Sequence, residues 1–152
     1  MKNILTISMV TLFAASTVSW IPTTQNLVSE NSFVKQNEQE ENLKLNNGKR
    51  WKANAETTTG VNNMIKKTEG FSSSKNVKTL ENYNDLAKEL RLEMNGIFDK
   101  CTMKGESHNN LHAFLVPIFG YLKELESEEL KSCKNGYASL DLQLEKYSKY
   151  FE

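Results

Sequence analysis

Proline, cysteine and histidine each occur only twice in this 152-residue chain. The prolines are Pro22 and Pro117, so almost nothing in the second half of the chain interrupts a helix. Two cysteines are too few for a disulfide framework. Charge of either sign is not in excess: 19 Lys and Arg balance 19 Asp and Glu, with no basic cluster, which argues against a nucleic-acid partner. No apolar run reaches the ~20 residues of a membrane span, so the mature form is expected to cross no bilayer. The chain also lacks a phosphate loop, a nucleophile–base–orienter set and paired carboxylates at useful spacing, and is not expected to be an enzyme. The acidic stretch at 124–129 has neither the alternating oxygen ligands nor the central glycine of a calcium loop.

Residues 1–20 read as a signal peptide. Lys2 gives a positive start, a short apolar core runs from Ile4 to Ala15, and small residues follow before Ser19. The protein is therefore expected to be periplasmic or secreted. Residues 21–50 are rich in Asn, Gln, Glu, Ser, Thr and Lys, with Phe33 as the single aromatic, and are expected to form a disordered polar linker. Residues 51–152 are long enough for one small domain.

Within that domain the apolar residues recur at helical spacing. A first helix is expected over 52–69. A second carries Val77, Leu80, Tyr83, Ala87, Leu90, Met94, Ile97 and Cys101, and a third carries His108, Leu111, Leu115, Ile118, Leu122 and Leu125. A fourth runs Leu130, Cys133, Tyr137, Leu140, Leu144, Tyr147, Phe151 without a break, after Ser127 as N-cap. Such seams predict an all-α, antiparallel up-down-up-down four-helix bundle. The first helix departs from the pattern, since its early inward positions, Asn54, Thr57 and Thr58, are polar and need polar partners. Short connections put the start of helix one, the end of two, the start of three and the end of four at one end of the bundle. Cys133 falls at the other, roughly 20 Å from Cys101 at 1.5 Å per residue, too far for a disulfide.

The shared end gathers the donors. Cys101, Met103, His108 and His112 place a thiol, a thioether and both imidazoles within twelve residues. That is the ligand set of a soft metal, copper before zinc because a thioether suits zinc poorly. His108 and His112, one turn apart, share a face. Met94 on the same stripe is a candidate inner ligand, though core packing accounts for it too. Trp51, Asn54, Thr58 and Glu106 are candidate neighbours of the site; a lid is the plainer role for Trp51 and a solvated surface for Glu106. The competing account makes Cys101 a small core residue, Met103 a loop plug and the histidines helix-start residues. The metal reading implies buffering, delivery or sensing of copper. A bundle without metal would instead recognise another periplasmic protein.

Two likenesses bear on these expectations. Four helices in about a hundred residues behind an export signal resemble the periplasmic four-helix b-type cytochromes. That resemblance implies a haem held between a methionine of the first helix and a histidine of the last. Here the last helix has no histidine, so a noncovalent haem b for electron transfer would sit between His112 and Met94 or Met64. The strings Trp-Lys-Ala-Asn-Ala-Glu-Thr-Thr-Thr-Gly, from Trp51, and Cys-Thr-Met-Lys-Gly-Glu-Ser-His-Asn-Asn-Leu-His, from Cys101, resemble small exported proteins of Bacteroidetes-type bacteria. That second resemblance implies a site at the motif and supplies no chemistry.

Overall fold

A computed structural model describes residues 43–152; the expected signal peptide and most of the expected linker lie outside the described residues. The fold is an all-α four-helix bundle. Helix α1 spans Ala55–Ser73, α2 Leu80–Lys100, α3 Gly105–Leu125 and α4 Leu130–Glu145, and a last turn, α5, covers Tyr147–Tyr150. No helix among the described residues is long and apolar enough to cross a membrane.

Cross-helix contacts run in opposite senses along each consecutive pair. Asn63 bonds Glu93 and Lys67 bonds Glu89 between α1 and α2. Phe98 stacks on Phe119 and Arg91 grips Glu126 between α2 and the end of α3. Cys133 bonds the Leu125 carbonyl and Gln143 the Phe114 carbonyl between α3 and α4. The residues at three-four spacing fill the interior: Val61, Met64, Leu90, Met94, Ile97, Leu111, Phe114, Leu115, Ile118, Leu122 and Leu140 are all essentially without solvent contact. Burial of this apolar surface is the main term favouring the fold.

Several boundaries differ from expectation for local reasons. Helix α2 starts at Leu80 because Thr79 and Asn82 form a reciprocal capping box, which leaves Val77 outside and exposed. Helix α1 continues through Gly70 to Ser73. Ser127 does not cap α4; its hydroxyl accepts the Glu129 amide, and the helix begins at Leu130, two residues later than a Ser127 cap would place it. The fourth seam is interrupted at Lys146, and Tyr147 and Phe151 sit on a separate turn. The folded unit also reaches back beyond Trp51. Leu43 is buried in the main core, and Asn47 and Gly48, both at positive φ, reverse the chain between Asn46 and Lys49.

Helix α3 runs unbroken through Pro117, whose ring removes one backbone donor. The carbonyl left without its helical donor is that of Ala113; the buried Gln143 side chain bonds the next one, the Phe114 carbonyl, at 2.8 Å. Helices α3 and α4 approach closely at Gly136. A β-carbon there would lie 2.5 Å from Glu124 Cβ and 2.9 Å from the Tyr121 carbonyl oxygen.

Two outcomes follow from this packing. Gly136→Ala meets backbone that cannot swing away, so the overpacking cost of ~1–3 kcal/mol should exceed the ~1 kcal/mol alanine gains in a helix. Gly70→Ala, where a β-carbon meets nothing, should instead stabilise by up to ~1 kcal/mol, so denaturation midpoints of the two variants should move in opposite directions. The Arg91–Glu126 pair, with contacts of 2.5 and 2.8 Å, holds the Glu126 carboxyl below the usual carboxylate range through its bond to Arg91. A depressed carboxylate stabilises the fold above its unfolded value and loses that effect as pH falls through its folded value. Both side chains are about one-third exposed, so Glu126→Gln should cost under ~1 kcal/mol at pH 7 and nothing once wild-type Glu126 is protonated.

Candidate metal-donor site

The site end is built by backbone pairing between the segment leading into α1 and the residues that follow α5. Trp51 and Phe151 form a parallel bridge: Trp51 N donates to the Tyr150 carbonyl at 2.8 Å, and Glu152 N donates to the Trp51 carbonyl at 2.9 Å. The Trp51 indole N–H is committed to the Lys44 carbonyl at 2.6 Å, and its ring packs on the core. Lys44 N in turn donates to Asn110 Oδ1 on α3 at 2.8 Å. Beneath this closure Phe114, Tyr147 and Phe151 form an aromatic cluster, with Tyr147 and Phe151 stacked at 5.2 Å.

The polar start of α1 finds its partners here. Asn54 Nδ2 donates to the Lys100 carbonyl at 3.1 Å and to Glu56 Oε2 at 2.8 Å, and Asn54 Oδ1 accepts from Thr57 Oγ1 at 2.6 Å. Asn54 thus ties the start of α1 to the residue before Cys101. The hydroxyls of Thr58 and Tyr147 lie 3.0 Å apart. Burial pushes the Tyr147 phenol above its ordinary pKa, opposed by the bond to Thr58. Among the described residues no buried side-chain polar atom lacks a partner, so neighbouring protein groups satisfy this polar stripe.

Cys101 ends α2 as its C-cap, in extended backbone, and Gly105 opens α3 at φ +63°. The four connecting residues bring the Cys101 Sγ to 3.7 Å from His108 Nδ1. The His108 and His112 rings lie with centroids 4.4 Å apart, and His112 sits edge-on to Phe98 at 5.9 Å. Cys101 and Met103 are half-buried against the core, His108 is half-buried and His112 is exposed. The structure therefore joins Cys101 to His108 closely, with His112 alongside. Among the described residues, no group of three or more His, Cys, Asp or Glu side chains comes together as a metal cage. Met94 and Met64 are fully buried core residues. Glu106 is exposed, with its carbonyl accepting from Asn110.

Cys133 belongs to a different environment. It is wholly buried, its thiol bonds the Leu125 and Ser127 carbonyls at 3.3 Å each, and burial pushes its pKa up. Both cysteines are free thiols. Reasoning from sequence missed the anchoring of Lys44 on Asn110 and the role of Asn54 as a tie. The signal for the second was present in the polar stripe, whereas nothing in residues 43–50 except Leu43 marked them as part of the folded unit. No known protein family, curated protein or solved structure matches the chain.

A sulfur and a nitrogen 3.7 Å apart can share a hydrogen bond or a metal ion. Bonds of ~2.3 Å to a thiolate and ~2.0 Å to an imidazole span that separation at about 120°. The polar tie beside the pair is structural. Tyr147→Phe, which strips Thr58 of its partner in a half-buried place, should lower unfolding free energy by ~1 kcal/mol while leaving helical circular dichroism unchanged.

Proposed function

We propose that this chain is an exported helical bundle that binds a soft metal, copper(I), at Cys101 and His108, for buffering, delivery or sensing. The observation that carries the reading is the 3.7 Å approach of Cys101 Sγ to His108 Nδ1, made by the short connection between α2 and α3. Thiolate and imidazole are both good copper(I) ligands. Copper(I), a filled-shell ion, accepts two or three ligands in linear or trigonal arrangements, whereas structural zinc asks for four. A pair of converging donors with a thioether and a second imidazole close in sequence suits the first ion better than the second. Met103 in the connection and His112 one turn along α3, its ring centroid 4.4 Å from that of His108, are the candidate additional donors.

The reading is tested by titrating the reduced protein with copper(I) against a chromophoric chelator. Wild type should take up copper(I), and Cys101→Ser and His108→Ala should each weaken binding by more than the ~10–100-fold that loss of an outer-shell partner costs. His112→Ala and Met103→Leu should have smaller effects. Unchanged affinity in both Cys101→Ser and His108→Ala would exclude the site.

A further inference from the structure

At the bundle end opposite Cys101, the close of α1, the connection 74–79 and the first turns of α2 line a cleft of about 280 Å³. Phe71 and Leu86 are its apolar lining. The Phe71 ring is fixed by packing against Tyr83 and Tyr137, with centroids 5.0 and 5.2 Å away. Tyr137 is itself anchored, its hydroxyl donating to the Thr68 carbonyl at 2.8 Å. The apolar side of the cleft is therefore rigid.

Charge in the cleft is matched except at one residue. Lys67 donates to Glu89 Oε2 at 2.8 Å, and Asp85 Oδ1 accepts from Lys88 at 2.9 Å. Lys78 has no such partner. It is half-buried, as are Lys67 and Arg91, yet those two meet carboxylates and Lys78 meets none among the described residues. Its ammonium donates to the Ser74 carbonyl at 2.7 Å and stands 4.8 Å from the Phe71 ring centroid. Neither contact neutralises the charge, and one of the three ammonium hydrogens is left over. A cation drawn partly out of water favours a counter-charge. Two amides line the same cleft. Asn82 Oδ1 accepts from Thr79, which leaves its Nδ2 to donate, and the one hydrogen bond of Asn76 among the described residues comes from its backbone amide.

We propose that this cleft binds a small organic carboxylate, with Lys78 facing the carboxylate and Phe71 and Leu86 the apolar body. A single unmatched ammonium suits a monoanion, and the carboxylates of Asp85 and Glu89 in the same lining disfavour a dianion such as phosphate. A carboxylate offers two acceptor oxygens, which Lys78 and an asparagine amide can share as charge-assisted hydrogen bonds. The volume falls at the small end of the ~300–1,000 Å³ of ligand sites, so the occupant is small. Asn82 and Cys101 are separated by most of α2, roughly 30 Å at 1.5 Å per residue, and the inference does not rest on copper binding.

The test is a titration of the whole metal-free chain with phenylacetate, followed by backbone amide shifts in proton–nitrogen correlation spectra. Saturable shifts confined to Phe71, Ser74–Asn82 and the adjoining turn of α2 are expected. Lys78→Gln should weaken binding ~10-fold or more, the loss expected of a hydrogen bond to a charged group, with helical circular dichroism unchanged. Lys75→Gln, which removes an equal charge from an exposed neighbour outside the cleft, should leave affinity unaltered. The neutral analogue phenethyl alcohol should bind ~10-fold or more weakly than phenylacetate for the same reason. No saturable shift in the cleft would overturn the proposal, as would affinity that survives Lys78→Gln. Equal binding of phenethyl alcohol would reduce the cleft to an apolar hollow, and equal binding of inorganic phosphate would reduce it to unselective anion attraction; either result also overturns the carboxylate assignment.

Discussion

The pairing of Trp51 with Phe151 governs how this molecule is put together. Three main-chain hydrogen bonds, from Trp51, Ala53 and Glu152, join the strand-like entry to the chain's last residues. They hold the start of α1 against the turn that carries Tyr147, which brings Thr58 and Tyr147 within hydrogen-bonding distance. Asn54, three residues after Trp51, reaches across to the end of α2. One end of the bundle is thus laced by directed polar bonds, whereas its middle is held by undirected apolar contact. The donors of the proposed copper site sit at the laced end, where positions are set by hydrogen bonds to backbone.

Much of the bundle was legible in the order of apolar residues. Three-four spacing in α2, α3 and α4 named the core with few errors because a buried stripe on a helix has no other period. The errors fell where local hydrogen bonding outweighs the stripe. Val77 continues the spacing, yet the Thr79–Asn82 box starts the helix after it. Tyr147 and Phe151 continue the spacing of α4, yet the chain breaks at Lys146 so that Phe151 can pair with Trp51. A periodicity records which side chains are buried and is silent about where the backbone changes partners.

At the candidate site, the sequence showed which residues would be near one another and not how near. His108 and His112 are equivalent by spacing, since both follow Cys101 on one face of a helix. The fold separates them: His108 lies against the thiol and His112 faces water beside Phe98. Gly105, at φ +63°, opens α3 three residues before His108. The polar stripe of α1 was visible as an anomaly, but its partners, a backbone carbonyl and a phenol, lie 46 and 89 residues away.

The two thiols live under different chemical rules. Cys133 is enclosed and bonded to two carbonyls, while Cys101 is half-exposed at the other end of its bundle. Oxidation therefore finds one reactive sulfur per folded chain. Such a molecule is monovalent towards disulfide chemistry: it can be capped by a small thiol or joined once to another chain, but it can neither staple itself nor propagate into a cross-linked network.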